Sequence, residues 1–448
     1  MSTVSPFSSL NTAFSGLQAA QAALDVTAKN IASVGVDGYS RQRVQQEAAP
    51  GSTGNSWSSA ATGVSVAGYE RIRDLLLDRR FTDQAPLSGD AEARSSIMTQ
   101  VEGSFAEPTD YGISSLMNQF WNSWQAAANT PTSTPARQAV IESARSMSDA
   151  IRQVSSQLET LRTQISSEQS SRTSEIAQIG TDIAKLNSNI QMTLTHEGSA
   201  NDLKDQRDAL IDKLASYGNL TVTNYDSGLS DITFGTFSLV TGATSSAPTL
   251  ANLNTAATGR MFALEDMRSN VIPGLASNLD SVAVAIIGQV NAQHALGFDL
   301  NGVIGGNVFS GTGANDIGLN ATWAGSPAKL ALSSSSTAAG NNSNGLALSG
   351  IGDLAATVGG SQSINGAYGS LVSQVGSLTK QAKAKEQLQN SLTDAVQNKR
   401  SGVSGVSLDE EMGNLIRYQQ SYGAAARVIS AIDQMLDILV NRTGKVGM

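Results

Sequence analysis

Near the amino terminus the large apolar residues keep a seven-residue beat: Leu10, Leu17, Leu24 and then Ile31. Ala13, Ala20 and Thr27 fall three positions after the leucines, and Gln18, Gln21, Asp25 and Lys29 occupy the far face. This is the seam of a coiled-coil helix with small residues at every second contact. Ser8 or Ser9 can cap its start. The stripe is narrow, so the helix needs a partner. The stretch "NIASVGVDGYSRQRV" (Asn30 to Val44) then stops it. Gly35 and Gly38 are predicted to take the positive φ that ends a helix and turns the chain, and Asp37-Gly38 is a turn signal in itself.

The other end mirrors this pattern. Leu408, Leu415, Tyr422, Ile429 and Leu436 share one seam position, and Tyr418, Ala425, Ile432 and Leu439 lie three after it. Ser407 and Glu410 fit a Ser-x-x-Glu capping box, and Glu411 is the only break in the seam. Between the ends, "YSRQRVQ" and "GVSVAGYERI" alternate like strands. From about Asp90 to Tyr217 the pattern is helical, with Phe120, Trp121 and Trp124 on one buried helix. Thr134-Pro135 opens a long helix, and "NDLKDQRDALIDKLA" is a shorter one. Strand signals fill Gly218 to Gly259, a helix with an apolar side runs from Pro273 to Gly297, and helix resumes near Ala367 up to about Asn398.

The expected fold is therefore mainly α. Paired terminal coiled-coil helices (1–38 with 405–448) enclose a long-helix core with small β-elements (39–300 with 360–404). A Gly/Ser/Asn-rich loop/β outer insert (301–359) lies innermost. The insert lacks an apolar period, and the segment from Phe309 to Asn341 is expected to be a surface excursion.

Composition narrows the function. Lys plus Arg number 29 and Asp plus Glu 38, a net charge of −9, without basic blocks. That argues against nucleic acid and against an anionic membrane surface. There is no cysteine, which removes disulfides, thiolate catalysis and Cys-type zinc sites. No basic-then-apolar leader opens the chain, and no run reaches the roughly 20 apolar residues of a membrane span. Membrane insertion is not expected.

No catalytic, cofactor or metal residues emerge. His196 and His294 lack metal spacing and read as structural. Gly302 to Gly313 is glycine-rich without Gly-Lys-Ser/Thr. Asp409, Glu410 and Glu411 fall in the first turn of a helix, where the dipole favours acids. The terminal seams are the candidate functional residues. Isolated helices of this length are marginal in water, so their partners are each other or further copies of the chain.

The segments "SGLQAAQAALDVTAKNIASVGVDGYSRQ" (Ser15 to Gln42) and "GVSLDEEMGNLIRYQQSYGAAARVISAIDQMLDILVN" (Gly405 to Asn441) resemble the two ends of bacterial flagellar axial proteins of the rod, hook and junction. "GYSRQ" and the interior stretches "NDLKDQRDALIDKLA", "VNAQHALGFDLNG" and "INGAYGSLVSQVG" resemble the hook–filament junction branch of that family. Longer members carry a β-rich outer domain where this chain has about 30 residues, too few for a separate core.

The resemblance implies a structural adaptor, not an enzyme, joining hook to filament. Its implied partners are other copies of itself in a ring-like homo-oligomer, the hook protein, the second junction protein, an export chaperone at the C-terminal region and the flagellar export apparatus. It implies an extracellular place reached without a cleaved signal peptide. It also implies terminal helices that order on assembly. The alternatives are another axial protein, a hook subunit or flagellin, or a fused muramidase, for which no segment outside the axial matches has room.

Overall fold

The computed structural model describes residues 6–49, 63–196, 198–323, 325–355 and 357–438. Helix α1 (Pro6–Ala32) opens on a proline, two residues before the serines that could cap it. Strands β1 (Gln42–Ala48) and β2 (Val64–Arg71) form an antiparallel ribbon with a bulge between Gln45 and Gln46. The Asp74 carboxylate accepts from the N–H groups of Leu76 and Leu77 and caps α2 (Leu75–Phe105). Next come α3 (Ile113–Asn129), the 63-residue α4 (Thr134–His196) and α5 (Asn201–Ala215).

Strands β3 (Leu220–Asn224), β4 (Ser230–Phe234), β5 (Phe237–Thr241) and β6 (Thr244–Ser245) then form a meander paired in chain order. Short α6 (Leu250–Leu253) precedes α7 (Arg260–Asp266), which passes through a π turn into α8 (Ile272–His294). The short pair β7 (Phe309–Ser310) and β8 (Gly318–Leu319), then α9 (Ser343–Ser349), lead to α10 (Ile364–Ser404) and α11 (Leu408–Asp437). The fold is mainly α with small sheets, as the residue pattern predicts.

The chain divides into two compact units. One comprises Met1–Pro86, Glu175–Asn252 and Ser391–Met448; the other comprises Leu87–Ser174 and Leu253–Asn390. These limits differ from the terminal, core and outer domains drawn from the sequence. The terminal helices share a unit with the ribbon, α5 and the meander. That unit has its own core: Ile176, Ile183 and Ile190 of α4, Leu214 of α5, and Ile232, Phe234, Leu239 and Val240 of the meander are buried. Asn187 of α4 donates to the carbonyls of Ser230 and Gly242 and accepts from Arg207, which ties meander to helix.

In the second unit Phe120, Trp121 and Trp124 of α3 and Leu275, Leu279, Val282, Ile286 and Val290 of α8 are all buried. The continuous helix Arg260–His294 is long and apolar enough to cross a membrane by length and composition. Those five α8 side chains lie in the unit's interior instead.

The outer insert is not a surface excursion. Val308, Phe309, Ile317, Trp323, Leu330 and Leu332 are all buried. Phe309 stacks edge-on against Phe120 at 5.6 Å, and the Trp323 indole donates to the Asn307 carbonyl at 2.6 Å. These apolar residues come in short clusters, Val308-Phe309 and Leu330 to Leu332, separated by stretches rich in Gly, Ser and Asn, so no sustained period of 2 or 3.6 reveals them. Arg137 of α4 is fully buried and donates to the carbonyls of Pro131 and Leu330, each at 2.6 Å. Burial pushes its guanidinium down to about 10.

His294 is fully buried beneath the insert. Its Nδ1 lies 2.6 Å from the Gly306 carbonyl, and its Nε2 accepts from the Ala331 N–H at 2.8 Å. Both ring nitrogens are thus engaged in the neutral ring, which makes the residue structural. His196 is the exposed last residue of α4.

Two outcomes follow from this packing. Ser333 and Asn344 are buried, and Asn344 donates to the Ala331 carbonyl at 2.6 Å. Replacing residues 333–344 with a Gly/Ser linker should lower the melting temperature by more than about 5 °C; an unchanged thermal melt would show that the segment contributes no packing. The second outcome concerns pH. Burial lowers the His294 imidazole from 6.5 to about 4, so between these values the unfolded chain binds the extra proton. Its contribution is complete above 6.5 and is lost as pH falls towards 4, at up to about 1.4 kcal/mol per pH unit. The stability difference between wild type and His294→Gln, from urea titrations at pH 7.5 and 5, should shrink at the lower pH. A difference that stays constant would contradict the neutral buried ring.

Candidate functional site

Helix α1 ends at Ala32, and Gly35 and Gly38 follow with φ of +77° and +80°. Residues with a Cβ rarely adopt that conformation. At Gly38 a Cβ would also stand 3.1 Å from Cβ of Ala209 on α5. The turn therefore folds back tightly on α5 and delivers Tyr39 to Gln42 against the end of α1.

A polar cluster locks this corner. Asn30 bridges the start of β1: its amide donates to the Gln42 carbonyl at 2.9 Å and its oxygen accepts from the Gln42 N–H at 3.0 Å. The Tyr39 hydroxyl donates to the same oxygen at 2.8 Å. Burial, reinforced by Asp202 and Asp205, raises that phenol to about 12, so it remains a donor. The Asn30 amide also donates to Glu411, 381 positions away on α11, at 3.1 Å.

The Glu411 side chain is only 2% exposed, and its other oxygen accepts from Arg41 Nε at 2.7 Å. Arg41 Nη1 reaches Glu410 at 2.6 Å. Ser407 accepts from the Glu410 N–H and caps α11, as the capping pattern predicts; the Glu410 carboxylate serves Arg41.

Helix α5 supplies a rail of aspartates below the corner. Asp202 accepts from Lys29 and Gln42, and Asp205 from the Ser40 N–H and Arg71. Asp208 accepts from Arg71 and Arg73, and Asp212 from Arg400 at 2.6 Å. Burial works against the Asp202 charge, but the bonds from Lys29 and Gln42 outweigh it and hold its carboxyl below the usual range. At Asp212 burial prevails over Arg400 and raises the carboxyl. A groove of about 730 Å³ opens beside the turn, lined by Lys29, Val36, Tyr39, Leu186 and Leu210 among others.

The predicted seam residues divide. Helices α1 and α11 pack against each other, and α1 also packs on the ribbon. The buried face of α1 consists of Ala13, Ala19, Ala20, Ala23, Val26, Thr27 and Asn30, while Leu10, Leu17, Leu24 and Ile31 are half-buried at its margin. Small residues let two neighbours approach one helix, which displaces the leucines from the centre. On α11, Ile432 is buried, and Leu415, Tyr418, Ile429 and Leu436 are half-buried. Leu408 and Tyr422 are exposed in the single chain. Leu439 lies outside the described residues.

Asn30, Tyr39, Arg41, Gln42 and the α5 aspartates escaped sequence reasoning. The detectable signal was the spacing of Asp202, Asp205, Asp208 and Asp212, which aligns acids along one helix face. No group of three or more His, Cys, Asp or Glu suited to a metal occurs among the described residues.

Several known proteins are similar to this chain. Residues 98–309 match the family model of the flagellar hook-associated protein FlgK helical domain. Residues 10–40 match the flagella basal body rod protein model, and 399–442 the C-terminal model of the flagellar basal body rod FlgEFG proteins. A solved structure, the flagellar hook junction protein FlgK from Burkholderia pseudomallei, superposes with a TM-score of 0.63. It covers 72% of this chain and all of that one at 15% identity, a likeness of fold.

These matches make the chain similar to flagellar proteins of the rod, hook and junction. Over nearly its whole length it is similar to flagellar hook-associated protein 1. It is 28% identical to that protein of Bacillus subtilis, over 99% of each chain. It is 27% identical to that of Escherichia coli, over 96% of this chain and 99% of the other. The alignments span 511 and 545 positions against 448 residues here, so both relatives carry segments that this chain lacks.

The corner yields one outcome. Glu411→Ala leaves Asn30 and Arg41 without their shared acceptor and should cost about 2–3 kcal/mol, while Glu411→Gln should cost less. Hydrogen exchange should show faster opening of the first turns of α11. Unchanged protection in the alanine variant would mean that the carboxylate does not hold the corner.

Proposed function

We propose that this chain is a structural adaptor of the bacterial flagellum that joins the hook to the filament side through self-assembly of its terminal helices. One observation carries the reading. The two ends of the chain pair as α1 and α11 around a specified polar corner, yet α11 buries only Glu411 and Ile432 fully among its described residues. A helix with so little of its apolar surface covered is incomplete as a single chain, and neighbouring copies in a ring-like homo-oligomer would cover the remainder.

The hook protein and the second junction protein are the proposed axial neighbours, and a chaperone at the C-terminal region with the export apparatus the proposed route out of the cell. That route needs no cleaved leader. No catalytic step is part of this reading. The two helices are formed and paired within one chain, whereas the resemblance implies ordering on assembly. The two views meet in stability: a pair with little buried area opens more readily than a unit core.

Leu17→Asp or Leu415→Asp places a charge at the half-buried margin of the pair. Either should abolish joining, seen by electron microscopy as hooks without filaments, while the midpoint of the second unit stays unchanged. The tagged wild-type protein should form a thin band between hook and filament. Label along the hook or along the filament would instead make the chain a hook subunit or flagellin-like protein.

A further inference from the structure

Two surface patches of the first unit have opposite character and no partner among the described residues. At the start of α2, Leu75 and Leu76 are 77% and 58% exposed. Arg79 and Arg80 lie one turn beyond each of them and are also exposed. Among the described residues neither arginine has an ion pair or hydrogen bond from its side chain, unlike Arg71, Arg73 and Arg400 around them. Two adjacent unpaired guanidinium groups on a chain of net charge −9 form a cationic, apolar-backed edge.

The second patch is on α11. Leu408, Met412 and Ile416 follow at four-residue intervals and are each about half exposed, on a flank roughly a quarter turn round the helix from Glu411. Asp409 stands exposed beside Leu408 and Met412, and its carboxylate has no partner among the described residues. Glu410 next to it is already taken by Arg41.

We infer that these patches are the two halves of one contact between copies of this chain: the Leu75/Leu76/Arg79/Arg80 edge of one copy receives the Leu408–Met412–Ile416 row and Asp409 of the next. The inference rests on the self-assembly reading above. Its support is complementarity: two leucines face three apolar residues, and guanidinium forks suited to a carboxylate face an unpaired one. Because the halves differ, the contact is head-to-tail, and repetition generates a ring or a helical array, not a closed pair.

The test uses the full-length chain in sedimentation velocity at low and high salt. Arg79→Glu with Arg80→Glu disables one half, and Asp409→Ala with Met412→Glu disables the other, both altered halves being acidic so that they cannot pair with each other. All four positions are exposed, so the melting curves should match wild type. Each variant alone should associate at least tenfold more weakly than wild type. Mixed together, they should form a one-to-one dimer that grows no further, since one intact half of each kind remains. That dimer should weaken with salt.

Self-association of the arginine variant at wild-type strength would overturn the contact, as would a mixture that stays monomeric. If the arginine variant self-associates normally but loses binding to isolated hook protein, the edge serves that partner and the inference fails while the adaptor reading stands. Wild-type chains that remain monomeric at every concentration would refute the self-assembly reading and the contact with it.

Discussion

The first unit is organised around one buried carboxylate. Glu411 occupies a seam position where a coiled coil would place a leucine, and a charge there without partners would cost several kcal/mol. Arg41 and Asn30 occupy its two oxygens, and Asn30 at the same time holds both backbone groups of Gln42. One side chain thereby fixes the end of α1, the start of the ribbon and the first turn of α11 relative to one another. The apolar seam alone could not do this. A slip of α11 by one heptad would bring Tyr418 to the place of Glu411 and keep the seam apolar; only the carboxylate would lose its partners.

The corner needs support because a glycine turn has no side chains of its own to pack. Helix α5 provides it through aspartates in successive turns, each meeting a cation or an N–H from a different element: Lys29 of α1, Ser40 of the turn, Arg71 of the ribbon and Arg400 of α10. Ion pairs at an exposed surface contribute about 0–1 kcal/mol each. Here several are partly buried and share acceptors, so removing one member leaves others unsatisfied. The acidic balance of the chain, which composition alone reads as indifference to nucleic acid, acquires a structural use at this place.

How much of this the sequence disclosed depends on whether an element carries a period. The terminal helices, the long α4 and the ribbon strands announce themselves through spacings of seven, 3.6 and two, and the cap at Ser407 through its companion at Glu410. The glycine corner is legible because positive φ is costly for other residues, and Gly35 and Gly38 do adopt it. What remained hidden depends on pairing across distance. Trp323 and Phe309 look like loop residues among glycines until α3 stands beside them. Glu411 looks like a flaw in a heptad until Arg41, 370 positions earlier, closes on it. The leucine beat locates α1 correctly but misplaces its centre, because the pattern cannot reveal that two neighbours press on the alanine side.

That displacement of the leucines bears on function. A pair built for maximal stability would bury its large residues between the helices, as a leucine seam does. In this chain the pair is joined through alanines, a threonine and a polar corner, which specify geometry and contribute little apolar burial. Leu10, Leu17 and Leu24 stay half-covered on α1, and Leu408, Met412 and Ile416 stay exposed on α11. The polar groups fix where each helix lies; the apolar groups left outside are the surface available to the neighbours proposed above. A module with its register set internally and its hydrophobic burial deferred to neighbours stays separate while dilute and gains stability as copies add, because each added copy covers surface that the previous one left open.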